Sequence, residues 1–171
     1  MKVAIFVDGG FYRRRAQAVF GDMPAEQRAN ELETYCRRHL DMKGSQEQEK
    51  LLYRIFYYDC PPMDKKVYNP FLKKQVDFSK TELFRWTNTF FDELKSKRKF
   101  ALRLGKLAEQ QAHFELRPES LKKLCNGAIS FDNLTEKDFI INVDQKGVDM
   151  KIGIDIASLS YKKLVDQIVL I

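Results

Sequence analysis

Four short apolar runs recur along the chain and predict the strands of one sheet. They occupy residues 2–8, 51–58, 100–104 and 168–171. Every position between Lys2 and Asp8 is apolar, which is typical of a strand buried on both faces of a parallel sheet. Gly9 and Gly10 follow directly and predict a tight turn at the end of this strand.

Apolar residues recur at helical spacing in the segments between these runs. The spacing predicts helices over residues 11–20, 24–42 and 148–164. A capping-box sequence at Ser79–Glu82 predicts the start of a further helix, because the first and last residues of such a box satisfy each other's backbone groups.

The remaining segments have weaker patterns. They are a short helix expected at 118–127, a polar connection at 44–47, and irregular structure at 63–78 and in the rest of 107–145.

Strands that alternate with helices predict an α/β fold, a three-layer sandwich with a parallel sheet. We expect one domain over residues 1–171.

The composition excludes several classes of protein. Of the 171 residues 44% are apolar and 32% charged, which excludes wholesale disorder. No apolar run approaches the roughly 20 residues of a membrane span, and the start of the chain lacks a secretory signal pattern. The three cysteines are odd in number and widely spaced, which favours a reducing compartment. We therefore expect a cytoplasmic protein with no membrane partner.

The chain is basic, with a formal net charge of +6. The excess lies in residues 1–100, which hold 20 basic and 14 acidic side chains and include Arg13, Arg14 and Arg15. A basic surface attracts polyanions, so nucleic acid is a candidate partner. The charge alone, however, is explained at least as well by solvated helix faces.

Two acids stand at the ends of candidate strands. Asp8 ends the first strand, and ligands of open α/β sheets bind beyond the carboxyl ends of the strands. A residue in that position can equally cap the following helix or turn, and the spacing does not separate the two interpretations. Asp59 ends the second run, where a turn role is the simpler interpretation.

Two more acids lie in the last predicted helix. If that helix begins near Gly147, Asp149 is in its first turn and faces the strand ends, where the helix dipole alone also explains an acid. Asp155 lies in an otherwise apolar run, and carboxylates are rarely buried unless they are paired or bound to a metal. Six helical positions separate the two side chains by about 120°.

Other chemistries lack their motifs. The sequence contains no phosphate-binding loop, no dinucleotide-binding glycine pattern and no nucleophile elbow. The chemistry that remains is a carboxylate cluster that binds a hard cation, Mg²⁺ or Mn²⁺.

Four stretches in the expected order resemble the NYN domain, a PIN-like group that includes the LabA-like bacterial proteins. They are Val3–Tyr12, Leu52–Pro62, Ala101–Gly105 and Gln145–Asp155. The last stretch, with Lys-Gly-Val-Asp followed by a second Asp, is the most specific of the four. The resemblance spans most of the chain, with interruptions at 63–78 and 107–145.

The resemblance implies a PIN-like, Rossmann-like fold with an acidic cleft and metal-dependent ribonuclease activity. By position, Asp8, Asp149 and Asp155 would be the catalytic metal ligands. The residues expected to contact RNA are Arg13, Arg14, Arg15 and Lys146. The family usually continues after its fourth strand with a turn like Ser-Gly-Asp-Ser-Asp-Phe, whereas this chain ends at Ile171. We therefore expect a domain truncated at its C-terminal end, either as a fragment or as a naturally shortened protein with a depleted site.

Three functions follow as hypotheses. The first is an endoribonuclease that hydrolyses RNA phosphodiesters with carboxylate-bound Mg²⁺ or Mn²⁺. The second is a catalytically impaired module that binds RNA or regulates. The third is a scaffold whose exposed fourth strand pairs with another chain, for example in a homo-oligomer.

Overall fold

The computed structural model describes residues 1–41 and 49–171, so the connection predicted at 44–47 lies outside the described residues. The strands are β1 (Lys2–Asp8), β2 (Leu51–Asp59), β3 (Lys66–Asn69), β4 (Lys74–Asp77), β5 (Phe100–Leu104), β6 (Lys106–Leu107), β7 (His113–Leu116), β8 (Phe139–Asn142), β9 (Gln145–Lys146) and β10 (Gln167–Leu170). The α-helices are α1 (Gly9–Phe20), α2 (Ala25–Asp41), α3 (Glu82–Ser96), α4 (Pro118–Cys125) and α5 (Val148–Tyr161).

Four strands form one parallel sheet in the order β10-β1-β2-β5. This confirms the predicted parallel sheet. The chain moves from β1 through β2 to β5 in one direction and then returns to place β10 on the other side of β1. The strand order therefore reverses between β1 and β10, and such a reversal opens a crevice at the carboxyl ends of the strands.

Helices cover both faces of this sheet, which makes the fold a three-layer α/β sandwich. On one face, Val3, Ile5 and Val7 of β1 pack in a core with residues of α1, α2 and α3. On the other, Ala4 and Phe6 pack with residues of β2 and α5. Alternate residues of β1 point to opposite faces, and both sets are fully buried, as the continuous apolar run predicts.

The structure corrects the expectation of irregular segments. Residues 66–77 form an antiparallel hairpin of β3 and β4, and β6 pairs with β9 and β7 with β8 between residues 106 and 146. These strands are two to four residues long and, except in the hairpin, their partners lie far along the chain. Their pairing therefore depends on tertiary contacts rather than on local periodicity.

Two helix starts also differ from prediction. Gly9 and Gly10 form the first turn of α1, not a separate turn, so the helix follows β1 without a connection. The N-cap of α3 is Thr81, whose hydroxyl accepts the Phe84 N–H at 3.2 Å, so the predicted capping box at 79–82 is wrong. Ser79 lies instead in a 3₁₀ turn and donates to Asp77.

The helices in the part of the chain that the structure describes are all too short or too polar to cross a membrane.

Candidate functional site

A cavity of about 380 Å³ lies at the carboxyl ends of β1 and β10, where the strand order reverses. Its lining residues are Asp8, Phe11, Asp149, Ile152, Leu170 and Ile171. Two acidic residues from separate elements thus line one crevice that is otherwise apolar.

Asp8 is both the last residue of β1 and the N-cap of α1. Its Oδ1 accepts the Phe11 N–H at 3.0 Å, and its own N–H donates to the Ile171 carbonyl at 2.8 Å. The capping interpretation is therefore correct. The cap uses Oδ1 of the carboxylate, and Oδ2 accepts no hydrogen bond from the described residues. A strand end and a helix start together fix the position of Asp8 at the cavity.

Asp149 reaches the same cavity from α5. Gly147 precedes this helix with φ 83°, a left-handed conformation that glycine adopts without strain. The helix begins at Val148, so Asp149 lies in its first turn, as expected, and is exposed. A carboxylate there is favoured by the positive end of the helix dipole.

Asp155 lies apart from these two acids. Its Oδ2 accepts the Tyr58 hydroxyl at 2.8 Å and forms an ion pair with Arg103 Nε at 3.1 Å. Six helical positions turn it away from Asp149, towards a second cavity on the β5 side of α5. Within residues 1–41 and 49–171, no three His, Cys, Asp or Glu side chains form a group that could hold a metal ion. The structure thus brings together two of the three predicted acids.

Asp59 has a larger structural role than the turn suggested by the sequence. Its side chain is fully buried and forms an ion pair with Arg13 Nη2 at 2.9 Å. The Cys60 N–H and the Tyr57 hydroxyl also donate to it, at 2.7 and 3.2 Å. Burial raises the pKa of the Asp59 carboxyl, although Arg13 opposes the shift, and the negative charge of Asp8 raises it further.

This ion pair joins α1 to the end of β2. Arg13 lies one helical turn beyond Gly9, on the face of α1 that covers the sheet. The sequence clue was an acid at the end of the second strand together with an arginine in the first turns of the helix that follows the first strand. That pairing could have been considered from the sequence, but only the strand order shows that the two ends are neighbours.

The residues expected to contact RNA have different environments. Arg13 is directed at Asp59, and Arg14 Nε donates to the Gly10 carbonyl at 3.1 Å. Arg15 and Lys146 are exposed, the latter in the short strand β9. Arg14, Arg15 and Lys146 therefore keep a surface position from which a phosphate could be reached, while Arg13 is engaged in the fold.

Gly9 is required by this packing. A Cβ at Gly9 would lie 2.6 Å from Asp59 Oδ2 and from the Tyr57 ring, both of which are buried. We expect Gly9→Ala to lower the free energy of unfolding by about 1–3 kcal/mol, the usual cost of overpacking. Gly10→Ala is the matched control, because its Cβ meets only Asp8 Oδ1 at 3.4 Å. Urea unfolding of both variants measures the difference, and equal stabilities would contradict the proposed close approach.

Comparisons of the chain with protein-family models, with curated proteins and with solved structures find no match.

Proposed function

We propose that this chain is an NYN-type, PIN-like domain that hydrolyses RNA phosphodiester bonds with the aid of Mg²⁺ or Mn²⁺. The observation that carries the proposal is the position of Asp8 and Asp149, which line one cavity where the strand order reverses. Ligands of open α/β sheets bind at such points.

The donor set suits a hard cation. Carboxylate oxygens are the ligands that Mg²⁺ and Mn²⁺ prefer, and Mg²⁺ commonly binds through one or two carboxylates while it retains several waters. Asp8, through Oδ2, and Asp149 would hold the ion. The chemistry it supplies when bound is Lewis-acid stabilisation of charge at phosphorus and activation of a water nucleophile.

The protein's own residues position the substrate around these carboxylates. Phe11 lines the cavity and is 50% exposed, so its ring is available to stack on an unpaired base. Ile152 and Ile171 form apolar walls beside the two acids. Exposed Arg14, Arg15 and Lys146 would bind phosphates along the strand.

The experiment that tests the proposal separates cation binding from cleavage. Purified protein is incubated with fluorescent single-stranded RNA in Mn²⁺ or in EDTA, and Mn²⁺ binding is followed by calorimetry. We expect cleavage in Mn²⁺ alone and one bound ion per chain. Cleavage that persists in EDTA, or a protein that binds no Mn²⁺, would reject the metal-dependent mechanism.

The alternative is a catalytically impaired module that binds RNA or regulates. The ion pair of Asp155 with Arg103 favours it, because this acid is already engaged and Asp8 and Asp149 are the two acids that line the cavity in the described part of the chain. Mn²⁺ and RNA binding without cleavage would support this function over the nuclease.

We also propose that the protein is cytoplasmic and that it can form a homo-oligomer through the exposed edge of its sheet. All three cysteines are free thiols, as a reducing compartment requires. β10 is an edge strand that pairs with β1 on one side, so its other side is the proposed position for a strand of a second copy.

A further inference from the structure

A second cavity, of about 240 Å³, lies between α5 and the outer strands β2 and β5. Basic and aromatic side chains dominate its lining, among them Tyr53, Arg54, Phe56, Arg103 and Lys162. Among the described residues that line it, Asp155 is the one acid. The cavity is on the opposite flank of α5 from the one lined by Asp8 and Asp149, because Asp149 and Lys162 differ by about 140° around the helix.

Arg103 is held in place at this cavity. Its guanidinium lies over the Phe56 ring, 5.6 Å from the centroid, and its Nε pairs with Asp155 at 3.1 Å. Asp155 is in turn fixed by the Tyr58 hydroxyl. The two terminal nitrogens of Arg103 form no hydrogen bond or ion pair with the described residues. A guanidinium fixed in this way presents a fork that matches two oxygens of a phosphate.

A bulge in β2 adds two side chains to the cavity. The pairing of β1 with β2 shifts by one residue between Val3, opposite Leu52, and Ala4, opposite Arg54. Bulges of this kind redirect side chains. The extra residue, Tyr53, is 37% exposed and lines the cavity together with Arg54. Arg54 alternates with Phe56 along the strand and therefore lies on the α5 face of the sheet.

Lysines extend this basic surface along α5. Lys151 and Lys162 are eleven residues apart, which places them on one flank of the helix about 16 Å from each other. Lys151 Nζ donates to the Leu104 carbonyl at the carboxyl end of β5. Neither Arg54 nor Lys162 has a side-chain partner among residues 1–41 and 49–171. We call Arg54, Arg103, Lys151 and Lys162 the basic track.

We propose that the basic track binds the phosphate backbone of single-stranded RNA and that Tyr53 stacks on one of its bases. Three cations line the cavity, and Arg103 already neutralises its acid Asp155. Lys151 adds a fourth positive charge at the carboxyl end of β5, so the surface complements a polyanion. An exposed tyrosine beside phosphate-binding arginines is typical of single-strand recognition, since only unpaired bases can stack on it.

This inference rests on the proposed function, because it names the path of the same substrate. The track begins near the carboxyl end of β5, where Lys151 donates to the Leu104 carbonyl, and it ends at Lys162. Lys162 lies about 20 Å from Asp149 along the axis of α5. It therefore forms a binding surface distinct from the cavity in which cleavage is proposed. It also gives Asp155 a function as the positioning residue of Arg103.

The test measures binding without the metal ion that the proposed cleavage requires. Binding of a fluorescent 2′-O-methyl RNA strand is measured by anisotropy in EDTA at several salt concentrations. We expect the double variant Arg54→Gln/Lys162→Gln to bind at least about tenfold more weakly at low salt and its log Kd–log salt slope to fall by about 1.4, or 0.7 for each lost phosphate contact. The double variant Arg85→Gln/Lys95→Gln, with both changes at exposed positions of α3, is the matched control.

A third variant tests the geometry of Arg103. Arg103→Lys keeps the charge but loses the planar fork and its contact with Phe56, so we expect weaker binding with an unchanged salt slope. An unchanged affinity and slope in the Arg54/Lys162 variant would overturn the proposal, as would equal binding of a poly-glutamate chain of the same charge.

These outcomes separate this inference from the proposed function. Wild-type protein that fails to cleave RNA, together with binding lost in the Arg54/Lys162 variant, would reject the nuclease and support the track. Wild-type protein that cleaves RNA, with normal binding by that variant, would reject the track and support the nuclease.

Discussion

Asp8→Asn is expected to reduce Mn²⁺-dependent RNA cleavage and Mn²⁺ affinity by at least about 100-fold. Mutation of a residue that only hydrogen-bonds to a metal ligand typically lowers metal affinity or activity by about 10–100-fold. Asp8 is proposed as a direct ligand, so we expect its loss to cost at least as much. Asparagine is as good an N-cap as aspartate, so the hydrogen bond from the Phe11 N–H is retained. The substitution therefore removes the charge at the cavity while leaving the start of α1 intact. Cleavage assays and Mn²⁺ calorimetry measure both effects.

The other aspartates provide the controls for this prediction. Asp149→Asn should reproduce the loss, because its carboxylate lines the same cavity. Asp92→Asn, at an exposed position near the end of α3, should leave cleavage and Mn²⁺ affinity unchanged. Asp155→Asn should keep Mn²⁺ affinity but weaken RNA binding, since Arg103 loses the partner that positions it. Mn²⁺ affinity that falls with Asp155→Asn and not with Asp8→Asn would contradict the assignment.

Arg13→Ala is expected to lower the free energy of unfolding by about 3 kcal/mol. Removal of one partner of a buried ion pair costs roughly 3–5 kcal/mol, and we expect a value near the lower limit. Asp59 would remain fully buried without its cation, whereas Arg13 itself is 26% exposed, which moderates the effect. Arg14→Ala is the matched control from the next position of α1. Its side chain is exposed and, among the described residues, forms a hydrogen bond with the Gly10 carbonyl alone, so we expect a change within about 0.5 kcal/mol. Equal losses in the two variants would contradict a structural role specific to Arg13.

The destabilisation caused by Arg13→Ala should depend on pH. Burial raises the pKa of Asp59 in the folded protein, and Arg13 limits that rise. A raised pKa means that the folded state binds the proton more tightly than the unfolded chain, so stability falls as pH increases from the unfolded pKa to the folded one. Without Arg13 the folded pKa moves higher and this loss becomes larger. Urea unfolding should therefore show a greater difference between variant and wild type at about pH 7 than at about pH 4, near the ordinary carboxyl pKa.

The main strands and helices were predictable because their patterns are local. The run from Val3 to Val7 is buried on both faces, and that burial requires apolar residues at consecutive positions. The helices α2 and α5 show the 3.6-residue spacing of a buried stripe, and both lie within three residues of the predicted ranges. The order of these elements leads to an α/β sandwich, since helices must cover both faces of a parallel sheet.

The candidate site was predictable in part. Asp8 ends the first strand and Asp149 lies in the first turn of the last helix. Both positions are at the carboxyl edge of the sheet, so their place at one cavity follows from chain direction and helix start. The sequence predicted that Asp155, in an apolar segment, would be either paired or bound to a metal, and the structure pairs it with Arg103 and Tyr58. The identity of that partner depends on strand β5 lying beside β2, which no local pattern contains.

The amino-acid sequence by itself thus determined which segments are buried, where most elements begin and which acids reach the sheet edge. Those properties depend on spacings of a few residues. Only the tertiary structure decided that Asp59 pairs with Arg13 and Asp155 with Arg103, and that Arg54 and Lys162 share one cavity. The residues in each of these pairs are 46 or more positions apart along the chain. Their energies depend on the burial and strand order of the folded chain, because a charge needs a specific neighbour only after folding has removed its water.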